Sequence, residues 1–233
     1  MRLIVVGSSP AWPNPGSAHA GYLVETPTGR LLVDCGPGVL ALLREREGWP
    51  RVDAIAITHT HLDHVGDLVP WVWGRLMGPA PDERPPLWLP PGGRDALGEL
   101  LSSDQLDGCF AVQEYAERAP FEAADATVEP IGVRHYGIPA FGLRVAADGK
   151  VVAFSGDTGP TAALDDLARD ADCFVCEATL PDGTVDEGHL TAAEAVAVAG
   201  RAGARRLLLT HRPVELAAPA GVDVARDGLT IEL

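Results

Sequence analysis

Three histidines fall within six residues, in the segment Thr58-His59-Thr60-His61-Leu62-Asp63-His64, with an aspartate among them. They directly follow the apolar run Ala54-Ile55-Ala56-Ile57, and loops at strand ends are where α/β proteins usually place chemistry. In an extended segment His59 and His61 project to the same side, so both can reach one ion. The turn that follows can send Asp63 and His64 to a second ion. Imidazole and carboxylate donors suit zinc, with manganese or iron as alternatives. Four such donors at a strand end make poor core residues, because unpaired buried polar groups are costly.

Further donors stand in the same local context. His135 closes the strand-like run Thr127–Arg134, Asp157 sits in Ser155-Gly156-Asp157-Thr158 after the apolar run Val151–Phe154, and His211 follows Leu207-Leu208-Leu209-Thr210. An Asp in a Gly-Asp-Thr turn is commonplace alone; the repeated order of strand and then donor is what gives it weight.

The elements that must position these residues are legible as short apolar runs. Strands are predicted at 2–6, 20–25, 30–34, 53–57, 87–89, 110–114, 127–133, 141–146, 150–155, 172–176, 205–209 and 228–232. Helical patterns fit 38–47, 69–77, 94–102, 161–169 and 191–203, the last preceded by Thr191 with Glu194 three residues on, the form of a capping box. Strands interspersed with helices predict an α/β layered fold with mixed sheets. No internal repeat or linker-like boundary occurs, so residues 1–233 read as one domain. The Pro-rich stretches 10–15 and 79–91 read as surface loops, the first a candidate to lie over the site.

Composition excludes several classes. The net charge of −15, with no basic block, argues against a grip on long nucleic acid. No stretch approaches the length of a membrane span, and the N-terminal apolar run is too short for a signal peptide, so a cytoplasmic protein is expected. Cys173 and Cys176 have C-x-x-C spacing but lie in a predicted strand, where residues three apart face opposite ways. They and Cys35 and Cys109 read as reduced core cysteines.

The series His59-x-His61-x-Asp63-His64, His135, Asp157, His211 resembles the metallo-β-lactamase fold superfamily, over nearly the whole chain. That resemblance implies a four-layer αβ/βα sandwich with two mixed β-sheets and two divalent metal ions in a cleft at one edge. His59, His61 and His135 would hold the first ion, Asp63, His64 and His211 the second, and Asp157 both. Two departures narrow the class. Redox di-iron members have an acidic residue in the place of His61, and many zinc β-lactamases have Cys in the place of Asp157.

One further histidine selects among reactions. Gly188-His189-Leu190-Thr191-Ala192-Ala193-Glu194-Ala195 resembles a segment of the ribonuclease Z-like phosphodiesterase branch, as does Glu177 in Cys176-Glu177-Ala178-Thr179. The resemblance implies that His189 contacts the scissile phosphate and helps the leaving oxygen depart, with Glu177 supporting it. Taken alone, one His before a helix reads equally as a cap or an exposed residue. The implied reaction is phosphodiester hydrolysis by hydroxide formed from water at the two ions, with Asp63 orienting the nucleophile.

The tRNA-processing members carry a long arm between the third-histidine motif and the bridging aspartate. This chain has only Tyr136–Gly156 there, two predicted strands and a turn. The arm-less layout resembles atypical class II-like cyclic-nucleotide phosphodiesterases, through Gly21-Tyr22-Leu23, Asp34-Cys35-Gly36-Pro37-Gly38 and Phe141-Gly142-Leu143-Arg144. A small phosphodiester such as a 3′,5′-cyclic nucleotide is the expected substrate. Pre-tRNA and a thioester or lactone are the alternatives. Relatives are often dimers, so a homodimer is allowed. Trp71 and Trp73 could line the pocket, stack on a base, enter a dimer contact or fill the core, and His19 reads as a solvated loop residue.

Overall fold

The computed structural model describes residues 1–233. In chain order the first half runs β1 (Arg2–Gly7), β2 (Gly21–Glu25), β3 (Arg30–Val33), α1 (Val39–Arg46), β4 (Ala54–Ala56), α2 (Leu62–Val65), α3 (Leu68–Met77), β5 (Pro86–Leu89), α4 (Gly93–Gly98), α5 (Ser103–Cys109) and β6 (Ala111–Glu114). The second half runs β7 (Phe121–Ala123), β8 (Ala126–Gly132), β9 (Phe141–Ala147), β10 (Lys150–Phe154), α6 (Ala163–Leu167), β11 (Cys173–Glu177), α7 (Ala192–Ala202), β12 (Leu207–Thr210), β13 (Asp223–Val224) and β14 (Thr230–Glu232).

Continuous Leu, Ile and Val runs form strands buried on both faces. In β1, Leu3 and Val5 enter one apolar cluster while Ile4 and Val6 enter another. The first cluster lies between two seven-stranded sheets, ordered β14-β1-β2-β3-β4-β5-β6 and β13-β12-β11-β10-β9-β8-β7. The second packs α1, α3, α4 and α5 on the first sheet, and a third packs α6 and α7 on the other. The layers are therefore helix, sheet, sheet, helix: the metallo-β-lactamase fold. Both sheets are mixed, each with a parallel half (β3–β6; β10–β13) and an antiparallel half.

β8 and β10 are both antiparallel to β9, so β8, β10, β11 and β12 run the same way and end at one edge of their sheet. β3 and β4 likewise share a direction in the first sheet. Residues just past these strand ends meet in the cleft.

Four elements lie outside the sequence-derived set: α2, α5, β7 and β13. The helix expected over 94–102 stops at Gly98 as α4, and α5 follows as a separate helix that Ser102 caps through a capping box with Gln105. The capping box at Thr191 and Glu194 forms as the sequence implies. Cys173 faces the inter-sheet cluster and Cys176 the cluster beneath α7, so the C-x-x-C thiols point apart. β9 and β10 are joined through Asp148 and Gly149, both at positive φ, and no arm protrudes there. No helix is long and apolar enough to cross a membrane.

Candidate metal centre

β4 delivers Thr58 and His59, and His61 precedes the single turn of α2, which carries Asp63 and His64. The loop is packed tightly: a Cβ added at Gly36 would lie 1.9 Å from the Asp63 carbonyl oxygen, so only glycine fits there. His135 lies past β8, Asp157 past β10 and His211 past β12. His211 takes φ 53°, a conformation costing on the order of 1 kcal/mol outside glycine, and its N–H is held by Ser8 O at 3.1 Å.

The structure brings all seven sequence-derived donors together. His59, His61, His135 and Asp157 form one group, and Asp63, His64, Asp157 and His211 a second, the donor atoms of each within 4.8 Å of one another. Asp157 belongs to both. Its carboxylate lies 3.3 Å from His64 Nε2, 3.5 Å from His211 Nε2, 3.8 Å from His59 Nε2 and 3.9 Å from His135 Nε2. His135 Nε2 and His61 Nδ1 converge at 3.0 Å, and His211 Nε2 and Asp63 Oδ2 also at 3.0 Å.

The residues fit a pair of divalent ions. His59 Nε2 and His64 Nε2 are buried with no hydrogen-bond partner, and such atoms are rare unless something else satisfies them. Burial, helped by the neighbouring ring His64, pushes His59 well below the ordinary imidazole value. Burial also lowers His61 and His135. All three rings are thus neutral, with a lone pair to offer.

The outer nitrogens of His135, His211 and His64 are held in turn, as is usual for ligating histidines. His135 Nδ1 donates to Gly188 O at 2.7 Å, and His211 Nδ1 meets Thr179 Oγ1 at 2.8 Å. His64 Nδ1 lies 2.8 Å from Asp34, a carboxylate that also accepts from Thr58 N and Thr58 Oγ1. Replacing Asp34 with Asn is expected to weaken metal affinity about 10- to 100-fold, measured by competition with a chromophoric chelator; unchanged affinity would remove Asp34 from this role.

His64 behaves differently from the other rings. Burial opposes its charge, but Asp157 and Asp34 outweigh it and raise His64 well above the ordinary value. In the metal-free chain His64 is therefore protonated at neutral pH. Its contribution to stability is full below the unfolded value of about 6.5 and is lost as pH rises through the raised folded value. A divalent ion must displace that proton. Zinc titration calorimetry in two buffers of different ionisation enthalpy is expected to show proton release near neutral pH; none would contradict the assignment.

Glu177 organises the opposite side. Its Oε1 accepts from Thr158 N and His189 Nδ1, each at 2.8 Å, and its Oε2 from Thr179 N, Thr179 Oγ1 and Leu190 N. Glu177, His189 and His211 also lie within ligand distance of one another, but with both carboxylate oxygens so engaged this group is a hydrogen-bond network. His189 stacks on His211 at 5.7 Å between ring centroids and meets His135 edge-on at 5.0 Å. Burial works against its charge, but the hydrogen bond and charge of Glu177 raise it to about 9.

Asp34, Thr179 and Tyr136 are site residues to which the sequence reading assigned no role. Asp34 follows an apolar strand just as Asp157 does, so its signal was present. His19 corrects the expectation of a solvated residue: it is 8% exposed, with Nδ1 2.8 Å from Pro10 O. Trp71 is a core residue, while Trp73 is 44% exposed. The 10–15 loop is tied beside the metal-donor segment after β12: Asn14 Nδ2 donates to Arg212 O, and Asn14 Oδ1 accepts from Val214 N.

Fold and donors together define an αβ/βα sandwich with a metal-binding edge. Residues 29–212 match the family described as "Beta-lactamase superfamily domain". The chain belongs to this superfamily and is a metallo-hydrolase. It is 36% identical over 223 residues to an uncharacterised protein of Mycobacterium tuberculosis, covering 91% of this chain and 81% of that one. It is 28% identical over 242 residues to ribonuclease Z of Mycobacterium bovis, covering 91% and 85% respectively. The crystal structure of the metallo-β-lactamase fold protein YhfI from Bacillus subtilis superposes with a TM-score of 0.87 at 22% identity, covering 99% of each chain.

Proposed function

We propose that the chain is a phosphodiesterase of small substrates, with 3′,5′-cyclic nucleotides as the leading class. His59, His61 and His135 would hold one divalent ion, Asp63, His64 and His211 a second, and Asp157 both, zinc being the ion these donors suit best, with manganese or iron as alternatives. When bound, such ions supply a water of lowered pKa and offset charge on phosphoryl oxygens.

The protein's own groups do the rest. Asp63 orients the attacking water, and His189, charged and fixed through Nδ1 by Glu177, presents its other nitrogen to the leaving oxygen. The observation that carries the reading is this pair: a buried carboxylate keeps a cationic ring between His135 and His211, beside both donor groups. A departing alkoxide needs such a proton.

Two features favour a small substrate. The chain between His135 and Asp157 holds only β9, β10 and their turn, and the net charge of −15 disfavours a long polyanion. The similarity to ribonuclease Z supports pre-tRNA cleavage as the second reading. A screen of the metal-loaded protein on cyclic AMP, cyclic GMP, bis(p-nitrophenyl) phosphate and pre-tRNA separates the two. Turnover of a cyclic nucleotide is expected; rapid cleavage of pre-tRNA with inert cyclic nucleotides would reverse the ranking.

A further inference from the structure

Three successive residues past β8 hold three successive residues before His189. Arg134 pairs with Glu187 at 2.6 Å, His135 Nδ1 donates to Gly188 O at 2.7 Å, and Tyr136 OH donates to Asp186 Oδ1 at 2.9 Å. That same Asp186 oxygen accepts from Gly188 N at 2.7 Å and His189 N at 3.1 Å. The Tyr136 ring lies directly on Gly188: a Cβ there would fall 2.4 Å from a ring carbon. The ring also meets His189 edge-on, centroids 5.6 Å apart.

Two facts separate Tyr136 from a generic loop contact. Its backbone sits at φ 43°, a costly conformation for an aromatic residue and one that persists only where the surroundings hold it. Of the three grips, the Arg134–Glu187 pair is solvent-exposed at 59% and 61%, so it contributes little, and His135 is already assigned to a metal ion. Tyr136 is the remaining grip between the loop of His135 and the segment before His189, and it has no part in either donor group.

We propose that Tyr136 is a positioning residue for His189, acting through Asp186 and Gly188, and that it sets the leaving-group acid in register with the metal donors. The inference rests on the phosphodiesterase reading. In the step it serves, the water oxygen bonds to phosphorus and the P–O bond to the leaving oxygen breaks. That oxygen takes the proton from His189, and the proton released by the water goes to solvent. A ring displaced by about an ångström loses much of that transfer, while a leaving group that needs no proton is spared.

The test compares cyclic AMP, which departs as an alkoxide, with bis(p-nitrophenyl) phosphate, which departs as a stabilised phenolate. In metal-loaded Tyr136→Phe, kcat on cyclic AMP is expected to fall roughly tenfold, with KM and bis(p-nitrophenyl) phosphate turnover each within about twofold. Gly188→Ala, which displaces the ring, is expected to show the same split more strongly. Amide hydrogen exchange at residues 186–190 of chelated Tyr136→Phe is expected to quicken, because Asp186 loses one of its three donors. Parallel loss on both substrates, unchanged turnover of both, or unchanged exchange would overturn the proposal. His189→Ala serves as the reference: if it fails to split the substrates, the phosphodiesterase reading fails, whereas a split there without one in Tyr136→Phe rejects the positioning role alone.

Discussion

Replacing Asp157 by Ala is expected to reduce turnover of every substrate by at least about 10³-fold, equivalent to about 4 kcal/mol in the barrier. The reason is geometric. Asp157 is the single carboxylate within reach of both donor groups, with four imidazole nitrogens between 3.3 and 3.9 Å from it. It is also buried, but its electrostatic interactions with the rings around it, His211 and His64 foremost, override the cost of burial and hold it well below the ordinary carboxylate range. Its negative charge is therefore present at neutral pH. Metal analysis of the purified variant is expected to show fewer bound ions per chain than the parent. Normal metal content with normal turnover would mean that Asp157 is not shared by the two groups.

The second large effect is expected at His189, and it is selective. His189→Ala should lower kcat on cyclic nucleotides by about 10²- to 10³-fold, the range of a lost general acid. Hydrolysis of bis(p-nitrophenyl) phosphate should lose less than about tenfold. Metal content should not change, since His189 lies outside both donor groups. Glu177→Gln provides the pH test. The parent His189 is held up to about 9 against its burial by the Glu177 hydrogen bond and charge. Without that carboxylate the ring loses its largest support, keeps only the charges of Asp157 and Asp186 against its burial, and falls toward its ordinary value. The variant is then expected to be poor at neutral pH and to recover relative to the parent as pH falls. A thioester or lactone hydrolase on the same metal site predicts the opposite pattern: little loss in His189→Ala, because no phosphate needs the ring.

Four of the seven donors were readable from sequence because two signals coincide at each, and His61, Asp63 and His64 because they cluster within five residues of His59. Apolar runs mark where strands end, and a His or Asp directly after such a run is at the sheet edge, where it meets others of its kind. That logic located His59, His135, Asp157 and His211 without any view of the fold. It failed for the groups that act through a neighbour. Thr179 matters because its hydroxyl lies between Glu177 and His211, and Tyr136 because its ring rests on Gly188; both depend on contacts across separate loops. His19 is buried for the same kind of reason, since a carbonyl nine residues away takes its ring nitrogen. Among the elements, β13 is only two residues long and carries no periodicity. α5 was legible in principle, through Ser102 and Gln105, but the helical pattern before it was read as ending there, with Ser102 as its last residue and not as the cap of a new helix.

Anomalous diffraction from a metal-replete crystal tests the central claim most directly. Two peaks about 3.5–4 Å apart are expected, one among His59, His61 and His135, the other among Asp63, His64 and His211, with Asp157 between them. A single peak, or a peak held instead by Glu177, His189 and His211, would contradict the two-ion site from which the proposed chemistry follows.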